Sequence, residues 1–270
     1  MCTLGSLLDT SPSQAEIDHR ARQALATWGI YLLITSLLNG TIPFLLGYDQ
    51  RGWTYSPLKE VLVNLCVYSG LFLAVPLILT KGWTTVRQPG FWIPLLVATL
   101  AMTLRTFYRP TAVLAVIAFG YLHWRFDLSE LGIRSKGWRG DLIAIMLLCM
   151  LYSIPSLWQA GTGFSSLTNA LQSGLDRLFT NPASTVENLF YFGFLTERLS
   201  FKTGRWLTPV LIGLMYMLHE MTNPEYWYEG MRFFLVWGGV AMVAIVYLWR
   251  RSVVVIWLGD GLGRLLSRLF

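Results

Sequence analysis

The chain has 270 residues, of which 21 are Lys or Arg and 15 are Asp or Glu; charged side chains make up 13% and apolar ones 54%, against about a quarter charged in ordinary soluble domains. With a mean hydropathy of +0.50, this excludes a soluble globule, a disordered chain and a collagen-like repeat. The net charge of +6 is spread in short basic groups between apolar runs, which argues against a nucleic-acid interface and for membrane topology.

Residues 1–23 read as a polar amino-terminal tail or surface helix, without the basic start, apolar middle and small-residue cleavage site of a secretory signal. Ser11-Pro12-Ser13 marks a helix start, and Asp18 is expected to pair with Arg22 one turn on. Apolar segments follow at 24–47, 61–80, 91–104, 110–124, 140–158, 183–200, 205–220, 231–249 and 252–266, each judged against the ~20 residues that cross a bilayer. They predict an all-α, polytopic transmembrane bundle of about eight or nine spans. The lower count applies if the two short segments flanking Arg105 to Pro110 form one span broken at the proline. Between 162 and 178, Phe164, Leu167, Leu171, Leu175 and Leu178 fall on one stripe, which predicts an interfacial helix. The basic loops at 125–139, 198–205 and 250–251 prefer the inner side of the membrane. Cys2, Cys66 and Cys149 make neither a disulfide framework nor a zinc knuckle.

Ionisable groups inside apolar spans are costly and mark sites of function. Glu187 lies one helical turn inside its span, His219 ends the run Val210 to Leu218, and Asp260 sits within Gly259-Asp-Gly-Leu-Gly263. With the orientation above, Glu187 and His219 fall in the outer half of the bilayer and Asp260 near mid-depth. A carboxylate beside a neutral imidazole in a wet cavity can hold and deprotonate a water, while the imidazole stabilises the oxyanion or the departing amine. Each residue also has a structural reading. Glu187 can cap its helix after Ser184 and Thr185, His219 can belong to an interfacial aromatic belt with Tyr216, Tyr226, Trp227 and Tyr228, and Asp260 can pair with Arg264.

His219-Glu220-Met-Thr-Asn223 begins like a zinc-protease helix, but Asn223 stands where a second His is required, so no metal is expected. Gly259 to Gly263 reads as close helix packing, not a phosphate loop. His123 could ligate a pigment metal or be a belt histidine, and the broken pair around Arg105 and Arg109 would suit a transporter. No cofactor is expected.

The motif Glu187-Asn-Leu-Phe-Tyr-Phe-Gly-Phe-Leu-Thr-Glu-Arg-Leu199 resembles the first motif of the CPBP family, the CAAX protease and bacteriocin-processing intramembrane endopeptidases, usually Glu-Glu-x-x-Phe-Arg-Gly. Leu214-Met-Tyr-Met-Leu-His219 is similar to the second, Phe-x-x-x-His, and Ile256 to Leu266 to the third, His-x-x-x-Asn. Leu128-Ser-Glu-Leu-Gly-Ile133 looks like a stretch that often precedes the core. The resemblance covers about 128–266 and divides the chain into the tail, amino-terminal transmembrane helices at 24–124, and a core at 125–270, with the first half simply supplying extra apolar helices. It implies a site of Glu187, Asn188, His219 and Asp260, in which Glu187 activates water and His219 assists.

Where the family has a second Glu, Arg, Phe, His and Asn, this chain has Asn188, Phe192, Met215, Asp260 and Arg264. Asn188 cannot take a proton, Phe192 removes a cation, and Asp260 would repel an oxyanion unless protonated or paired with Arg264. Two functions follow. One is a metal-free endopeptidase acting on a peptide or membrane-embedded protein. The other is a catalytically degenerate relative serving as scaffold, assembly factor or accessory subunit of a membrane complex. The expected location is the bilayer of a bacterial inner membrane or of a photosynthetic or organellar one.

Overall fold

The computed structural model describes residues 13–104, 118, 120–124, 128–158, 167–176, 178, 183–223, 227 and 230–269. Among the described residues every regular element is helical. Much of the segment expected at 110–124 lies outside them, as do Arg105, Arg109 and Phe164.

The first helix, α1 (Gln14–Leu45), starts at Ser13, whose hydroxyl accepts the Glu16 N–H at 3.3 Å, and Glu16 then pairs with Arg20 at 2.6 Å. That capped, charged first turn extends the helix ten residues ahead of the apolar segment, so Gln14 to Gln23 are its opening turns and not a separate tail. Asp18 pairs with Lys202 at 3.0 Å, which corrects the expected Arg22 partner: a neighbouring helix brings a cation to it. Ala21, Ala24, Thr27, Tyr31, Thr35 and Leu38 are buried on one stripe, while Leu25, Ile30, Leu33 and Leu37 are exposed on the other side. An apolar outer face with a buried inner stripe is what a lipid-facing helix shows. Thr27 and Thr35 donate their hydroxyls to the Gln23 and Tyr31 carbonyls at 2.8 and 3.0 Å, so neither is left unpaired.

Helix α2 (Pro57–Lys81) is capped by Ser56, which accepts from the Leu58 N–H at 3.3 Å, and ends at Gly82, whose φ of 85° only glycine adopts freely. Helix α3 (Pro89–Leu104) is tied to it by Asn64, which donates to the Met102 carbonyl at 2.9 Å. Then come α4 (Trp138–Trp158) and α5 (Leu167–Leu175), the latter inside the predicted interfacial stretch. Residues 183–203 form α6 and 205–220 form α7, separated by a non-helical Gly204 (φ 74°, ψ 172°). Helices α8 (Gly230–Arg250) and α9 (Val253–Leu269) close the chain.

Three helices, Gln14–Leu45, Pro57–Lys81 and Phe233–Arg250, are long and apolar enough to cross a membrane; Pro89–Thr103 is apolar but shorter. Between such helices the hydrophobic effect is weak, so backbone proximity at small residues carries the packing. Gly259 and Gly263 face α4, where an added Cβ would lie 2.6 Å from the Cβ atoms of Leu148 and Tyr152. Gly261 faces Leu178 instead. The glycine run therefore seats α9 between two neighbours.

At one end of the bundle the basic residues collect. Glu197 accepts from Arg134, Arg251 and the Tyr247 hydroxyl, the last at 2.9 Å. Arg250 donates to Asp141 at 2.9 Å, and Arg198 donates to Gln23 at 2.6 Å and Thr80 at 3.2 Å. Partial desolvation, with the adjacent Arg134 and Arg251 guanidiniums, holds Lys136 below the usual lysine range. The 128–132 turn docks beside this cluster: Val253 N–H donates to the Gly132 carbonyl at 2.7 Å, and the Leu131 carbonyl fills the space a Gly193 side chain would need.

Gly193→Ala must therefore push this turn off α6, with Val253 Cγ2 also at 3.1 Å from the new methyl. The expected result is a fall of about 1–3 kcal/mol in stability, seen as a lower thermal midpoint in detergent. An unchanged midpoint would show that the turn is not seated there.

Candidate active site

The hairpin of α6 and α7 positions the two residues that carry the sequence argument. Thr203 and Thr208 share a hydroxyl hydrogen bond of 2.7 Å across Gly204. Further along, the Tyr191 and Tyr216 rings meet with centroids 4.8 Å apart. This pairing fixes the antiparallel register. His219 lies three residues beyond Tyr216 and Asn188 three before Tyr191, so His219 comes level with Asn188, and Glu187 is adjacent. Most of α6 is wound more widely than an α-helix, over Ala183–Glu187 and Leu189–Thr196, and Thr196 donates its hydroxyl to the Tyr191 carbonyl five residues back at 2.7 Å. Wide turns of this kind re-aim side chains and recur at functional sites.

Glu187 is buried, with 8% exposure. His219 packs its ring on Tyr31 at 4.7 Å and against Tyr216 at 5.8 Å. Its Nδ1 is buried and makes no hydrogen bond among the described residues. His219 as a whole is half-buried, with its ring turned inward onto α1, whereas the exposed Trp227 donates its indole N–H to the Met221 carbonyl at 2.8 Å and is belt-like. The register thus sets Glu187 close to the level at which His219 meets Tyr31 of α1. Asp260 is buried at 4% exposure on α9, which packs against the 183–187 turn, between the glycine contacts with Leu148 and Leu178. Phe192 is buried and turned toward Tyr247, with centroids 6.2 Å apart.

The chain matches no known family model, and neither curated proteins nor solved structures match it. The chemistry must be read from the site itself.

Helix α7 ends at Glu220, and Asn223 N–H donates to the Glu220 carbonyl at 3.1 Å in the turn beyond it. Asn223 is therefore off the helical face that a second zinc ligand would occupy. Among the described residues no group of three or more His, Cys, Asp and Glu is placed to hold a metal ion. His123 is exposed.

Sequence reasoning did not find Tyr31 or the ring of Tyr191. Tyr31 lies in a helix outside the resemblance, and Tyr191 stands at the Phe position of the first motif, where only its hydroxyl differs. The available signal was a phenol in the middle of an apolar helix, where its hydroxyl needs a partner. The amino-terminal helices are more than extra spans, since α1 contributes a wall of the site.

Proposed function

We propose that the chain is a multi-pass membrane protein of about eight or nine spans, similar to CPBP intramembrane endopeptidases, that hydrolyses peptide bonds in the outer half of the bilayer. In this reading Glu187 takes a proton from water, and the resulting hydroxide attacks the substrate carbonyl. Asn188 orients the water or the substrate by hydrogen bonding, and His219 stabilises the departing amine. The observation that carries it is the hairpin register, which brings a buried carboxylate and a half-buried imidazole, whose Nδ1 is buried and unsatisfied among the described residues, to one level near Tyr31. The deciding experiment is cleavage of apolar peptides by purified protein and by Glu187→Gln.

The orientation that fits puts the basic end, with Arg134, Arg198, Lys202 and Arg251, on the inner side. Arg205 and Trp227 are both exposed and belong to opposite ends of α7 and its following loop. In a chain without its three native cysteines, a membrane-impermeant maleimide should label Trp227→Cys in intact cells and leave Arg205→Cys unlabelled. The reverse pattern would invert the topology.

A second reading is a catalytically silent scaffold or accessory subunit. Phe192, buried against Tyr247 where the related enzymes carry Arg, favours it. So does the apolar outer face of α8, where Phe234, Leu235 and Met242 are exposed. Stoichiometric co-purification with a larger complex, unaffected by Glu187→Gln, together with no cleavage, would establish it.

A further inference from the structure

Three buried polar atoms make no hydrogen bond among the described residues: Trp28 Nε1, the Tyr191 hydroxyl and His219 Nδ1. They come from three helices, α1, α6 and α7. Tyr31, three residues after Trp28 on α1, sets its ring 6.3 Å from that of Tyr191 and 4.7 Å from that of His219. Tyr191 is fully buried and is held from three sides by rings. Tyr216 lies at 4.8 Å, Phe190 at 5.4 Å and Tyr31 at 6.3 Å. Its orientation is therefore imposed by packing, not chosen by its hydroxyl.

An unsatisfied buried polar group costs about 1–3 kcal/mol, and such a group is a recurrent mark of a functional position. The indole N–H is a donor only, and the phenol donates readily. Two buried donors without an acceptor, on the helices that meet at Tyr31 and Tyr191, suit an acceptor that bears, or develops, negative charge on oxygen. Glu187 lies one turn before Tyr191 on α6.

We propose that Tyr191 and Trp28 form the oxyanion-binding pair of this site and replace the donor that the chain lacks at Asp260. This rests on the hydrolytic reading above. Glu187 removes a proton from water, and the water oxygen bonds to the substrate carbonyl carbon. The carbonyl oxygen becomes an oxyanion that accepts from the Tyr191 hydroxyl and the Trp28 indole N–H. The C–N bond then breaks, the nitrogen takes the proton held by Glu187, and the products are a carboxylic acid and an amine. Charge develops only in the tetrahedral intermediate, so these donors act on the rate and little on ground-state binding.

The test uses full-length protein in detergent micelles with a library of quenched-fluorescent apolar transmembrane peptides. Tyr191→Phe and Trp28→Phe each remove one donor and keep most of the ring. Each is expected to lower kcat about 10²-fold or more with KM within about threefold, as for a lost oxyanion donor, at an unchanged thermal midpoint. Tyr55→Phe, at an exposed phenol outside the site, serves as the control and is expected to stay within a few-fold of wild type. Should Glu187→Gln abolish cleavage while Tyr191→Phe and Trp28→Phe both keep kcat within twofold, the oxyanion assignment fails and the hydrolytic reading stands. A rise in KM at constant kcat, or a loss of activity that tracks a fallen thermal midpoint in both variants, also overturns it. If the wild type cleaves nothing in the library, both assignments fall together.

Discussion

Glu187→Gln is expected to reduce peptide cleavage by about 10³-fold while leaving expression and thermal midpoint close to those of the wild type. Gln matches Glu in size and still hydrogen-bonds, but it cannot accept a proton, so the change isolates the acid–base step, which is commonly worth 10²–10⁴-fold. The carboxylate is buried on α6. His219→Gln should fall in the same direction by a smaller factor, because the imidazole assists and does not itself take the proton from water. Fluorogenic cleavage in micelles measures both. Full activity in Glu187→Gln would remove this residue from the mechanism whatever the family likeness.

Glu197→Ala is expected to be the most destabilising single change at the basic end. Glu197 is nearly buried, with 11% side-chain exposure, and it is shared by Arg134 and Arg251, which retain 34% and 23%. It also accepts the Tyr247 hydroxyl at 2.9 Å, while Arg251 reaches Ser200 at 3.0 Å and Arg134 donates Nε to the Arg251 carbonyl at 2.7 Å. Removing the carboxylate leaves two guanidiniums and a phenol facing one another. Breaking a buried pair in this way costs roughly 3–5 kcal/mol, a drop on the order of 10 °C in the thermal midpoint for a chain of this size. Thermal unfolding in detergent, followed by intrinsic fluorescence, would show it. A shift below about 2 °C, within the range of an exposed pair, would mean that the cluster is solvated and contributes little.

These two carboxylates illustrate what could be seen in the sequence. Glu187 stood out because a charge inside an apolar run is expensive in any fold, and the chain offers few such charges. Glu197 sat ten residues on, within the same quoted motif, and drew no notice, since its meaning depends on Arg134 and Arg251, which are 63 and 54 residues away. Asp18 was given a partner one turn along its own helix because local spacing was all that could be read, and Lys202 takes that place from a distant segment. The glycines at 259, 261 and 263 were legible as packing residues, but the neighbours that they admit, Leu148, Leu178 and Tyr152, were not.

Composition and apolar periodicity determined that the chain is helical and that at least part of it suits a bilayer, because backbone groups in lipid are satisfied most simply within a helix and this requires only local sequence. The cost of an ionisable group in or at the end of an apolar run singled out Glu187 and His219. The tertiary structure alone decided that Tyr31 packs on His219, that the Tyr191 hydroxyl and Trp28 Nε1 are buried without a hydrogen bond among the described residues, and that the basic residues gather around Glu197. The reason is that helix pairing depends on shape and on a few small or polar contacts between distant segments, and hydropathy carries no record of which faces meet.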